Sequence, residues 1–196
     1  MATGLLIMLV GKATKVSQFL ISLDKSYEGT ICFGVETDSH DADGEVVKET
    51  PLPEALDEQH LLDSVKVFLG DQYQTPPMFS AKKVAGVPLY KLARKGKTVE
   101  REPRFIRIST LKLLAWNPPE AKFTMSCSKG TYVRTLAHDI GKEIGCGAHL
   151  NDLRRTKIDR FDVTEASTLE SIEKIPLAEF SNLLVPVRQA VPSHVL

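Results

Sequence analysis

The chain has 196 residues, 42% of them hydrophobic and 26% charged, a size and balance that suit one soluble domain able to bury a core. Its 25 basic and 25 acidic residues cancel, and its three cysteines, Cys32, Cys127 and Cys146, lack paired spacing, which argues against a disulfide framework and fits a reducing cytoplasm. Residues 5–10, the only apolar N-terminal run, are too few to span a bilayer and lack a basic leader or cleavage site, so neither export nor membrane attachment is expected.

In chain order, residues 5–10 are continuously apolar between Gly4 and Gly11, which predicts a strand buried on both faces. Val16, Phe19, Leu20 and Leu23 follow at helical spacing and predict a helix over 13–24. Tyr27, Gly29, Ile31 and Phe33 alternate with Glu28, Thr30 and Cys32, the pattern of a half-buried strand. Residues 37–44 read as an acidic loop. Its Asp41, Asp43 and Gly44 are spaced as in a calcium loop, but Ser39 and Thr50 stand where the first ligand and the bidentate glutamate belong, so no metal is expected there. Pro51 and Pro53 precede a predicted helix over 57–69 that carries Leu61, Leu62, Val65 and Leu69 on one face and stops at Gly70.

Residues 73–107 mix prolines, glycines, aromatics and bases and predict a protruding segment with a short helix over 89–95. Residues 105–113 and 123–127 alternate as strands, the first closed by Trp116, with a turn at Asn117, Pro118 and Pro119. A helix over 131–144 is predicted to start with Thr131 as its cap, bury Val133, Leu136, Ala137, Ile140 and Ile144, and stop at Gly145. Residues 151–160 set Leu153 in a basic cluster. Beyond Thr168 a tail with helical character runs to Pro186 and Pro192. Cys127, Cys146 and His149 are better read as buried thiols and a structural histidine than as metal ligands.

The neutral total hides a segregation of charge. Residues 28–71 hold twelve acids against two bases, whereas residues 82–107 hold nine bases against two acids and residues 122–160 eight against four. Local fields of that sign neutralise phosphates whatever the net charge. Arg134 falls in the first turn of the predicted helix, where the dipole favours anions, so its guanidinium calls for a partner: a nearby acid such as Asp139, or a phosphate.

Four ordered blocks carry a family resemblance. The first is Ala2, Thr3 and Gly4 with Gly11, Lys12, Ala13, Thr14 and Lys15. The second is Asp24, Lys25, Ser26 and Tyr27. The third runs from Pro76, Pro77, Met78, Phe79, Ser80, Ala81, Lys82 and Lys83 to Gly86, Leu89, Tyr90 and Arg94. The last is Ser128, Lys129, Gly130, Thr131, Tyr132, Val133, Arg134 and Thr135, followed by residues 145–150 and Leu153, Arg154 and Arg155. Together they resemble the tRNA pseudouridine synthase B (TruB) family from Met1 to about Leu169. The resemblance implies an α+β pseudouridine synthase fold: a mixed, mostly antiparallel sheet flanked by helices, with an RNA-gripping thumb at about 73–107. Residues 1–169 would be a partial catalytic domain and residues 170–196 a tail without an additional RNA-binding domain.

The implied activity is isomerisation of the T-loop uridine at tRNA position 55, without cofactor or metal, by a cytoplasmic monomer whose partner is the T-arm stem-loop. Breaking the glycosidic bond and rejoining the base through C5 needs a nucleophilic carboxylate, a cation to aim it and an aromatic face on which the base can turn. The base must also leave its stack. By resemblance Tyr27 stacks on the uracil and takes part in proton transfer, Arg134 pairs with the nucleophile, and Tyr132 and Leu153 contact substrate. Lys82, Lys83, Arg94, Arg154 and Arg155 are candidate phosphate contacts.

In the family the nucleophilic aspartate lies in a Gly-His-x-Gly-Thr-Leu-Asp-Pro segment just before Ala-Thr-Gly, where this sequence begins. A truncated, catalytically inactive form is therefore expected, with Asp41 the only acid near a motif that could stand in for the nucleophile. The competing expectations are a non-catalytic tRNA-binding or RNA-folding protein, and an unrelated small enzyme built on Arg134 and Asp41.

Overall fold

The computed structural model describes residues 2–191, so the readings that used Met1 and Pro192 lie outside the described residues. In chain order the elements are β1 (Thr3–Gly4), α1 (Ser17–Ile21), β2 (Lys25–Phe33), β3 (Val35–Thr37), β4 (Val46–Glu49), α2 (Glu58–Lys66), β5 (Gly70–Gln74), β6 (Lys83–Val84), β7 (Val87–Pro88), α3 (Leu89–Ala93), β8 (Arg104–Asn117), β9 (Glu120–Cys127), α4 (Val133–Ile144), β10 (Ala148–Ile158), β11 (Phe161–Asp162), α5 (Leu169–Glu173) and α6 (Val187–Ala190). Among the described residues one 7-stranded sheet runs in the order β1, β10, β2, β9, β8, β5, with β11 paired to β10. All its ladders are antiparallel except β1 on β10.

Alternation along β2, β9 and β8 turns Ile31, Phe33, Phe123, Met125, Ile106 and Ile108 to one face, where they form the main core with Leu61 and Val65 of α2 and Leu136 and Ile140 of α4. α2 begins as predicted, with the Asp57 carboxylate accepting from the His60 amide at 2.8 Å. α4 buries all five predicted residues and closes on Gly145, whose φ of 92° is the left-handed cap that glycine adopts without penalty. Gly141 lets α4 lie directly on the start of β10, since a Cβ there would sit 2.2 Å from the Ala148 amide nitrogen.

Several expectations need correction. Residues 5–10 form no strand. Leu5 is buried and its amide reaches the Arg155 carbonyl, but Leu6, Met8 and Val10 are 67, 75 and 54% exposed, while Ile7 and Leu9 pack on a second cluster with Val16, Leu20 and Val191. The helix over 13–24 divides into a 3-10 segment, Gly11–Val16, and the short α1, beyond which the Lys25 ammonium binds the Ile21 and Leu23 carbonyls. Thr131 does not cap α4: its hydroxyl donates to the Ser128 carbonyl, and Tyr132 is the N-cap residue. Residues 151–158 belong to the long strand β10, whose register shifts at 150/152 and 155/157 break the alternation that would have revealed it.

Candidate functional site

The start of α4, the acidic loop and the middle of β10 enclose a cleft of about 260 Å³, roughly the space of eight or nine waters at liquid density. Tyr27, Asp41, Tyr132, Arg134 and Leu153 all line it, so residues from separate segments named in the sequence converge on one place. Each arrives for a local reason. Tyr27 stands on β2 opposite Arg155 of β10 and Met125 of β9, with its ring packed against the main core. Leu153 comes from the neighbouring strand β10, opposite Gly29. Tyr132 and Arg134 follow the Gly130 turn into the first residues of α4.

Arg134 has the anionic partner its position demands, and it is Asp41 rather than Asp139: the two side chains meet at 2.6 Å, each about a quarter exposed. Its other terminal nitrogen donates to the Phe79 carbonyl. Burial alone would raise the Asp41 carboxyl, but hydrogen bonds from Ser39 and Arg134 outweigh it and hold the group below the usual carboxylate range. Burial pushes the Asp139 carboxyl up instead. Burial likewise raises the Tyr27 phenol, and the Arg155 side chain beside it acts in the opposite sense. Tyr27 is thus a neutral hydroxyl at the floor of the cleft.

The acidic loop is held down beside this pair. The His40 amide donates to the Thr37 carbonyl, the His40 carbonyl accepts from Leu150, and the Ala42 amide donates to the Leu150 carbonyl. His40 has a φ of 66°, unusual for a side-chain-bearing residue, and its ring stacks face to face on His138 of α4 at 4.0 Å. His138 lies one helical turn beyond Arg134, so the loop meets the same helix face twice: Asp41 on Arg134 and His40 on His138. Burial, then His138, Arg134 and Arg101, lower the His40 pKa to about 4.

Sequence reasoning missed this histidine pair, although the four-residue spacing of Arg134 and His138 was visible. It also missed Gln74, the last residue of β5, which is 5% exposed and hydrogen-bonded to the backbone of Tyr132. No sequence pattern marked it, because the one aromatic of β5, Tyr73, faces solvent and leaves the strand without apolar alternation.

The candidate phosphate contacts do not line the cleft. Lys82, Lys83 and Arg94 belong to the segment between β5 and β8, which carries the β6–β7 hairpin and α3, with the Arg94 guanidinium 5.5 Å from the Tyr90 ring centre. Arg154 is exposed on β10. Arg155 turns inward, its Nε donating to the Leu5 carbonyl at 2.7 Å. Among the described residues no group of His, Cys, Asp and Glu is placed to hold a metal, and no helix is long and apolar enough to cross a membrane.

Residues 1–133 match the model of the TruB family pseudouridylate synthase N-terminal domain, and residues 134–191 match that of the tRNA pseudouridylate synthase B C-terminal domain. The chain is 58% identical over 195 residues to tRNA pseudouridine synthase B of Opitutus terrae, covering 80% of that protein. It is 47% identical to the proteins of the same name from Syntrophotalea carbinolica and Stutzerimonas stutzeri, with 99 and 89% of this chain aligned, and it spans only 63 and 57% of their lengths. Among solved structures it is similar to a Cbf5-Nop10-Gar1 complex, with TM-score 0.66, 24% identity and coverage of 93% of this chain and 47% of the other. An H/ACA RNP bound to a substrate RNA containing 2'-deoxyuridine gives TM-score 0.62 at 20% identity over 93 and 46%. At those identities the likeness is one of fold, and it bears out the α+β pseudouridine synthase architecture expected from the sequence.

Proposed function

The chain belongs to the TruB family of pseudouridylate synthases, and from that premise we propose that its cleft receives a uridine flipped out of the T-loop of tRNA, at position 55, for isomerisation to pseudouridine. The observation that carries this reading is the convergence of Tyr27, Tyr132, Arg134 and Leu153 on one cleft large enough for a pyrimidine base. The residues then divide the work. The Tyr27 ring offers a face on which the freed base turns, and its neutral hydroxyl takes part in proton transfer at C5. Leu153 forms the apolar wall, and Tyr132 contacts the nucleotide from the start of α4.

Arg134 is the cation that aims a carboxylate, and Asp41 holds it in place. The resemblance assigns the nucleophile to an aspartate in a segment preceding Ala2. Ala2, which that segment would precede, lines the same cleft as Arg134. The chemistry needs no cofactor. Lys82, Lys83, Arg94 and Arg154 supply phosphate contacts outside the cleft, giving affinity rather than sequence preference. RNA as the partner also agrees with the substrate RNA named for the H/ACA complex of the same fold.

The test is binding and turnover on one substrate. The chain is expected to bind a tRNA T-arm stem-loop more tightly than a scrambled stem-loop, with affinity falling steeply as salt rises. Equal affinity for both RNAs would overturn the reading. Pseudouridine formation, measured on the same samples, separates a synthase from the alternative, a non-catalytic RNA-binding protein that grips the T-arm without converting it.

A further inference from the structure

Gln74 ends β5, and the residues after it lead into the thumb. Its side chain is nearly sealed from solvent and spends its polar atoms on one residue: Oε1 accepts from the Tyr132 amide at 2.8 Å, and Nε2 donates to the Tyr132 carbonyl at 3.1 Å. The side-chain amide therefore pairs with Tyr132 as a neighbouring backbone strand would. Tyr132 is the N-cap residue of α4, with no side-chain cap of its own, and its carbonyl also accepts the first helical bond, from Leu136. A buried amide hydrogen left unpaired there would be costly, so the contact is strongly specified.

Two further contacts tie down the same stretch, the first of them to the cleft. Phe79, five residues beyond Gln74, accepts from Arg134 through its carbonyl, and Pro76 accepts from Arg101 at 3.1 Å. The root of the thumb is thus fastened to the two cleft residues at the start of α4, on Tyr132 by a side chain and on Arg134 by a carbonyl.

We propose that Gln74 is a positioning residue: through its paired bonds to the Tyr132 backbone it sets where Tyr132 and Arg134 stand in the cleft, and so couples recognition of the flipped base to the seating of the thumb. This rests on the reading of the cleft as a uridine site. Gln74 touches no substrate; it acts through the residues that do. A framework role alone would change stability and leave the base preference of the cleft untouched, whereas a positioning role changes that preference at nearly constant grip on the RNA backbone.

The experiment compares two probes, a T-arm stem-loop RNA and the same RNA with the base removed at the target nucleotide, on the wild-type chain and on Gln74→Leu. Wild type is expected to distinguish the two probes. Gln74→Leu is expected to hold the base-less probe within about twofold of wild type and to lose about tenfold in affinity for the intact one, the size of a displaced hydrogen-bonded contact. If Gln74→Leu does not fold, Gln74→Glu decides, because a protonated carboxyl reproduces both bonds and a carboxylate opposes the Tyr132 carbonyl. Its affinity for the intact probe, relative to wild type, should recover at about pH 5 and fall towards about pH 8. Variants that keep the wild-type preference, with no pH-dependent ratio in Gln74→Glu, overturn the inference while leaving the uridine reading standing. A wild-type chain that binds neither probe overturns that reading, and the inference with it.

Discussion

The helix α4 and the segment over residues 5–10 are both rich in apolar side chains, and they end in opposite states. α4 mixes charged and apolar residues, yet it buries Val133, Leu136, Ala137, Ile140 and Ile144 because a sheet face receives them at its own spacing. Residues 5–10 are apolar throughout, yet Leu6, Met8 and Val10 face solvent, because only one side of the segment meets a neighbour. Hydrophobic content states what a stretch tends to do. Burial follows from whether another layer stands opposite.

That contrast is sharpest at single residues. Ile140 is wholly buried between α4 and the sheet, so Ile140→Ala should lower unfolding free energy by about 2–5 kcal/mol in a denaturant titration. A loss below about 1 kcal/mol would mean that this core is loosely packed. Acid should attack the other face of the same helix. The His40 ring is held neutral down to about 4, against 6.5 for a free histidine, so below 6.5 the unfolded chain takes up the extra proton and stability falls. The loss should approach about 3 kcal/mol once pH passes 4, and His40→Asn, which tolerates a left-handed backbone, should flatten that part of the profile.

Arg134→Ala should cost less, about 1–3 kcal/mol, because it strands a half-buried carboxylate rather than opening a cavity. It should also raise the Asp41 carboxyl, since burial is then opposed by the Ser39 hydrogen bond without the guanidinium, and carbon-detected NMR titration of the side chain checks the direction. The smallest effect belongs to the exposed segment. Met8→Ser should change stability by less than about 0.5 kcal/mol, and a larger loss would show that Met8 is covered in solution.

Local order was legible from the sequence where periodicity and capping act within a few residues. The buried face and Gly145 stop of α4, the start of α2 at Asp57, the alternation along β2 and the turn at Pro118 and Pro119 were all expected, because each depends on neighbours along the chain. The identities of Tyr27, Tyr132, Arg134 and Leu153 came from motif resemblance, and the fold brought them together. The sequence could not show which acid answers Arg134, that Gln74 binds Tyr132, or that His40 lies on His138, since these pairs join residues far apart in the chain. Nor could it show that residues 5–10 stay half exposed or that β10 is a strand, because bulges and missing neighbours are properties of the assembled sheet. Composition and spacing therefore determined the elements and the chemistry on offer, and tertiary packing decided which groups meet, because contact geometry and desolvation arise only when distant segments share a surface.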